Sequence, residues 1–312
     1  MRKPSLLIIF LTVFIDLMGF GLIFPLLPIY SRDFGASGLM IGAIIAVYSL
    51  MQFIFAPIWG RLSDRIGRRP ILMISTACAS FSYMIFAIGS GMGGSVALWI
   101  ILLSRLFAGV CGANISVAQA YISDITPPEK RSASMGLIGM AFGLGFVFGP
   151  ALGGFSIKWF GLMGPGWLAA TLTGINFIWV AFMLPESWKP SAEKVMERPR
   201  LAQFAHTMSN PTVALLIGIF FLATFCFASF ETTIGLLVST NFNLQITDGK
   251  GAETISYLIS YCALLGALAQ GGLIKKLVKV MGEPRLIAAS MIIAAVGMAL
   301  IPYLHTWGWL LA

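Results

Sequence analysis

Asp16 and Arg105 each interrupt a long apolar run. An ionised carboxylate in such a run must face a water-filled cavity, find a partner or take up a proton. Burial of a carboxyl group favours its neutral form, which is what reversible proton uptake requires. Asp16 is therefore the first candidate for proton coupling; the alternative is a polar group buried between helices for packing specificity. The guanidinium of Arg105 stays charged and can hold a nearby acid ionised until a proton or a substrate competes for it. Its alternative is a structural hub bonded to backbone carbonyls. Glu231 either receives a cationic substrate or ends its apolar run at an interface. Gln270, Asn114 and Gln119, with Gln52 and Tyr257, are candidate cavity-lining groups whose other role is to tie helices together.

Other chemistries find no support in the residue pattern. Cys78, Cys111, Cys226 and Cys262 each sit in an apolar run without metal-ligand spacing, and read as small hydrophobes in packed helices. His206 and His305 lie outside the runs. Gly143-Leu144-Gly145 lacks the preceding strand and the third glycine of a dinucleotide loop. No phosphate loop, metal cluster or catalytic dyad can be named, so neither an enzyme nor an ATP-driven pump is expected, and no metal or cofactor is called for.

These side chains are carried by a chain that is 58% hydrophobic and only 10% charged, with a mean hydropathy of +0.90. A soluble domain carries about 25% charged residues, so lipid must be part of the solvent here. Apolar runs of about 20 residues, the length that crosses a bilayer, fall at 5–28, 38–59, 71–90, 96–120, 133–157, 166–184, 212–236, 254–274 and 286–304. The reading is an all-α polytopic membrane protein. The first run is too long for a signal-peptide core and is read as an uncleaved span.

With the N-terminus in the cytoplasm, the basic residues fall mostly on one side. That side holds Arg2 and Lys3, then Arg61, Arg65, Arg68 and Arg69, then Lys130 and Arg131, then Lys189, Lys194, Arg198 and Arg200, and last Lys275, Lys276, Lys279 and Arg285. Arg32, Lys158 and Lys250 lie opposite. The net charge of +8 is thereby a topology signal, and no nucleic acid is needed to account for it. The segment 185–211, polar and proline-rich, separates a six-span bundle at 1–184 from a partial bundle at 212–312.

The loop from Gly60 to Pro70 (GRLSDRIGRRP) has a weaker echo between spans eight and nine, from Gly272 to Arg285, six spans later. An internal repeat of six spans suggests two similar bundles, and a chain ending after nine is expected to be a fragment of a twelve-span protein or to have a shortened second half. The Gly60–Pro70 loop resembles the signature of the major facilitator superfamily. Arg105-Leu106-Phe107-Ala108-Gly109 resembles that family's second motif. Gly145, Gly149, Pro150, Gly153 and Gly154 in span five resemble the motif of its antiporter branch. Asp16, Gly19, Gly21, Pro25 and Pro28 in span one, and Pro185-Glu186-Ser187 after span six, resemble the drug/proton antiporters and the tetracycline exporters in particular.

The resemblance implies a secondary transporter that exchanges protons for a lipophilic or amphipathic small molecule by alternating access in a bacterial cell membrane, and a monomer is expected if the chain is complete. It implies that Arg105 faces a central cavity. It implies that Asp64 and Arg68, with Asp124, form a cytoplasmic lock on a gating loop that includes Gly60, Arg65, Gly67 and Arg69. Gly145, Gly149 and Gly153 share one helix face and permit close approach, with Pro150 bending the helix; the family implies a second-half helix as their partner. Carboxylates on spans three and nine and a histidine on span eight, present in tetracycline exporters, have no counterpart here, which speaks against a metal–tetracycline substrate. A sugar or other metabolite carried on the same scaffold, and a non-transporting membrane scaffold, are the alternatives.

Overall fold

The computed structural model describes residues 5–112, 114–188, 208–242, 244, 250–269, 274–304 and 306. All regular structure among them is helical. Span one is α1 (Leu6–Ile23) continued through a 3-10 turn at Phe24–Leu26 into α2 (Leu27–Asp33). Pro25 and Pro28 fall at the starts of these later pieces, where a missing N–H does least harm. Spans two and three are α3 (Gly38–Ile66) and α4 (Arg68–Met92). Span four is broken at Gly112 into α5 (Gly94–Cys111) and α6 (Asn114–Ile125). Spans five and six are α7 (Arg131–Phe160) and α8 (Gly164–Met183), joined by a 3-10 turn that starts at Gly161, φ 64°. The second half supplies α9 (Pro211–Asn241), α10 (Lys250–Leu268), the short α11 (Ile274–Met281) and α12 (Glu283–Leu300).

Among the described residues, eight helical stretches are long and apolar enough to cross a membrane, and one of them, 128–183, contains both α7 and α8. The nine crossings read from hydropathy are thus all present as helices. The boundaries correct the sequence reading in one instructive place. Gly60–Ile66 is not loop but the last turns of α3, and the reversal into α4 rests on Gly67 alone, at φ 105° and ψ 159°. Its counterpart six spans later, Gly282, has φ 75° and ψ 158° and likewise opens the next span. Side chains rarely adopt such a φ, so glycine is what lets a span restart without a connecting loop.

Two apolar cores hold the bundle. At the Gly67 end, Ile9, Val13, Ile71, Leu72, Val117, Ile138 and Val180 pack α1, α4, α6, α7 and α8 together. At the Gly161 end, Leu22, Leu26, Ile29, Tyr30 and Phe86 pack with Ile234, Val238, Ala252, Ile255 and Leu258. Among the described residues the second half therefore joins the first through the Gly161-end core.

The seam of α1 on α7 is a backbone contact. A Cβ at Gly21 would lie 2.7 Å from the Gly145 carbonyl oxygen, and one at Gly149 would lie 2.7 Å from the Gly21 carbonyl carbon. Gly145 faces Leu17 and Gly153 faces Leu22 in the same way, each with 3.0 Å of clearance. This corrects the partner that the resemblance implied: Gly145, Gly149 and Gly153 meet span one, whose own Gly21 supplies the space. Of the motif's glycines Gly154, on the adjoining face, is the one described against the second half, at Glu253, Ser256 and Tyr257 of α10. Pro150 lies inside an uninterrupted helix.

Gly149→Val is expected to destabilise the protein by about 1–3 kcal/mol, the usual cost of overpacking. Gly143→Ala, at a position with nothing within 4 Å, should leave stability within about 0.5 kcal/mol of the parent. Thermal unfolding of both variants in the same detergent checks the difference.

Candidate functional site

Asp16 sits on α1 one turn before the glycine seam, so the α1–α7 contact fixes its depth and direction. It lines a cavity of about 120 Å³ with Phe20, Tyr48, Gln52, Ser75, Tyr83, Cys111 and Phe142. α1, α3, α4, α5 and α7 all contribute to this wall. Gln52 donates to the Gly112 carbonyl (3.1 Å), one of the backbone groups freed by the break in span four. Ser75 donates to the Cys111 carbonyl beside it (2.5 Å). The break thus leaves carbonyls that polar side chains of neighbouring spans take up, as a bilayer interior demands.

Arg105 lies apart from the cavity wall, which corrects the implied view of it as cavity-facing. It is 1% exposed, with its guanidinium carbon 5.4 Å from the ring centres of both Tyr83 and Phe86. Its Nε donates to Ser104 Oγ (3.4 Å). Two aromatic faces take up the charge where water is absent, and Tyr83, which lines the cavity, carries its field to that wall. Tyr48 and Tyr83 are within electrostatic range of both Asp16 and Arg105. Sequence reasoning missed these tyrosines; a hydroxyl in the middle of an apolar run was the available signal.

The remaining polar candidates do not converge here. Glu231 is partly buried on α9 and is not part of this cavity wall. Gln119 is exposed on α6, and Asn114 opens that helix. Tyr257, 43% exposed, borders Gly154. Gln270, His206 and His305 lie outside the described residues.

The gating-loop residues come together at the Gly67 end. Arg68 pairs with Asp64 (2.5 Å) and with Asp124 (3.1 Å) and donates to Ser63 Oγ (2.6 Å). The Asp64–Arg68 pair spans the Gly67 turn rather than lying along one helix. Asp64 is 60% exposed, so that pair adds little stability by itself; the better-buried Asp124 contact fixes the register of α4 on α6. Gly60 joins through its carbonyl, which accepts from Ser63 Oγ (2.7 Å), and Arg65 lies on the same helix, α3.

Glu186, quoted in the sequence only as part of a motif, completes the cluster. Gly67 offers no side chain to cap α4. The Glu186 carboxylate takes that role from 118 residues away, accepting from the backbone N–H of Arg68 (2.9 Å) and Arg69 (3.1 Å) and from those of Ser187 and Trp188 (3.0 Å each). Anionic oxygens at a helix N-terminus meet both unbonded N–H groups and the positive end of the dipole. Ser187 donates to Asp124 (3.1 Å) and Tyr121 to the Pro185 carbonyl (3.0 Å), so the end of span six is strapped across spans three and four. A Cβ at Gly67 would lie 2.9 Å from the Glu186 carboxyl carbon.

The opposite end is fastened between the halves. Arg32 donates to Ser239 (3.1 Å) and Thr240 (2.9 Å), and Lys158 approaches Glu253 (3.9 Å).

Glu186→Ala is expected to cost about 1–2 kcal/mol, the value of a lost helix cap. Gly67→Ala should cost at least as much, through both its φ and the carboxylate, and the double variant less than the two single costs added. Unfolding midpoints of the four proteins form the cycle; strict additivity would mean that Gly67 and Glu186 do not meet.

The family model described as Major Facilitator Superfamily matches residues 9–312. The chain is 34% identical to the tetracycline resistance protein, class C, of Escherichia coli, over 99% of this chain and 76% of that protein. It is 29% identical to multidrug resistance protein 2 of Bacillus subtilis, over 95% and 72%. Among solved structures it resembles the human organic anion transporter MFSD10, with a TM-score of 0.60 and 25% identity over 87% of this chain and 72% of that one. The chain thus spans about three quarters of the length of these relatives. This helical chain, with its Gly67 turn and its glycine seam, is a multi-pass integral membrane protein of the major facilitator superfamily, a transporter family rather than an enzyme family, related to tetracycline and multidrug resistance proteins.

Proposed function

We propose that this protein is a secondary transporter that exports a lipophilic or amphipathic small molecule in exchange for protons, with Asp16 as the proton-carrying group. The observation that carries the reading is the Asp16 cavity: one carboxyl group at mid-span, lined with two tyrosines, with Arg105 withdrawn behind Tyr83. The cavity of about 120 Å³ is smaller than the roughly 300 Å³ or more that a drug-sized ligand needs. It suits a proton and its waters, and the bulk of a substrate would lie beyond it, toward the second half. Among the described residues its wall has aromatic rings, an acid and no basic side chain, which favours a neutral or cationic amphipath over an organic anion.

The N-terminus and the Gly67 end belong to the cytoplasm by the distribution of Lys and Arg, in the cell membrane of a bacterium by kinship with bacterial exporters. The halves 1–184 and 212–312, joined through 185–211, rock about the mid-membrane site. The cluster of Asp64, Arg68, Asp124 and Glu186 then serves the cytoplasmic gate, and the contacts of Arg32 and Lys158 form the outer clasp.

Everted vesicles with an acid interior test the coupling. Addition of a cationic amphipathic drug should alkalinise the interior, and Asp16→Asn should abolish that response while the protein still inserts. Undiminished exchange in Asp16→Asn would sink the assignment of Asp16, and a response confined to sugars would replace the substrate class. For the clasp, Arg32→Ala combined with Glu253→Gln is expected to raise labelling of a cysteine at position 257 by an impermeant maleimide added from outside. The rise should be roughly two- to fivefold, the effect of exposed contacts worth about 0.5–1 kcal/mol.

A further inference from the structure

We propose that the groove between α4 and α8 at the Gly67 end binds one anionic phospholipid, with its phosphate on Arg69 and an acyl chain along Met73, Ile74 and Ala77. The groove has a volume of about 390 Å³ and is completed by Pro70, Phe177 and Glu186. Arg69, Met73 and Ala77 follow one another at intervals of four residues, so they form one stripe about 12 Å long. Charge is confined to one end of that stripe, and the rest is hydrocarbon, the distribution of an amphiphile. Ile74, Phe81 and Ile178 around it are 42%, 53% and 55% exposed, as lipid-facing residues of spanning helices are. Arg69 stands in the first turn of its span, where a crossing helix meets the headgroups.

The guanidinium is incompletely satisfied. One nitrogen, Nη2, donates to the Ala181 carbonyl (2.5 Å), while Nε is buried and has no partner among the described residues. Glu186, the acid that shares the groove, is already engaged by four backbone N–H groups. What remains is an incompletely satisfied cation at the mouth of an apolar channel, and the charge of a phosphate diester answers it. The inference is independent of what the protein transports.

Native mass spectrometry of the full chain in mild detergent tests it, with phosphatidylglycerol and phosphatidylcholine of identical acyl chains as probes. One phosphatidylglycerol should be retained in preference to phosphatidylcholine by about fivefold, the effect of one basic side chain at a charged headgroup. Arg69→Gln should bring that ratio to about one, Ala77→Trp should reduce retention by filling the acyl stripe, and Arg61→Gln, outside the groove, should leave the ratio unchanged. Equal ratios in the parent and Arg69→Gln, or the same drop in Arg61→Gln, overturns the site in favour of diffuse attraction. Displacement of the lipid by millimolar glycerol phosphate overturns it in favour of a free-anion site. If Arg69→Gln does not fold, Ala77→Trp decides, and undiminished retention there overturns the proposal.

Discussion

The contact of Gly21 with Gly145 and Gly149 brings the backbones of spans one and five together, and the depth at which Asp16 sits follows from it. Within lipid there is no water to expel between helices, so association depends on close packing and on internal hydrogen bonds. Glycines on both sides of the seam let the helices touch along Leu17, Gly21 and Leu22. Asp16 is the neighbour of the first of these, so its carboxyl group is held at one depth beside Tyr48 and Tyr83. Asn176 reinforces the same helix from the other side, donating to the Thr12 carbonyl (2.9 Å).

Charge in the bundle is managed in two ways that differ with depth. In the interior, Arg105 is enclosed by aromatic faces and its field reaches the cavity through Tyr83. At the Gly67 end, charge is gathered into a cluster in which Arg68, Asp124 and Glu186 satisfy helix ends and one another. With Asp64, its members lie at the ends of four spans, so a shift of any one helix alters several bonds at once. The bonds of Arg32 and Lys158 at the other end are fewer and more exposed.

Much of this was legible in the sequence because the relevant physics is local. Hydropathy along the chain marks the segments apolar enough to enter lipid, the Lys and Arg distribution gives the direction expected of them, and a glycine at a span junction signals a turn with positive φ. The type of each intramembrane polar residue, Asp16 above all, is likewise a fact of the sequence.

Only the tertiary structure decided which groups meet. The rotation of one helix about its axis relative to the next is set by side-chain packing, and hydropathy says little about it when a helix is apolar all round. For that reason the glycine face of span five found span one rather than the second half, Arg105 turned behind Tyr83 and Phe86 rather than into the cavity, and the cap of α4 came from Glu186, 118 residues away. The sequence by itself determined a bundle of membrane helices carrying a few costly polar groups; the packing of those helices determined their partners.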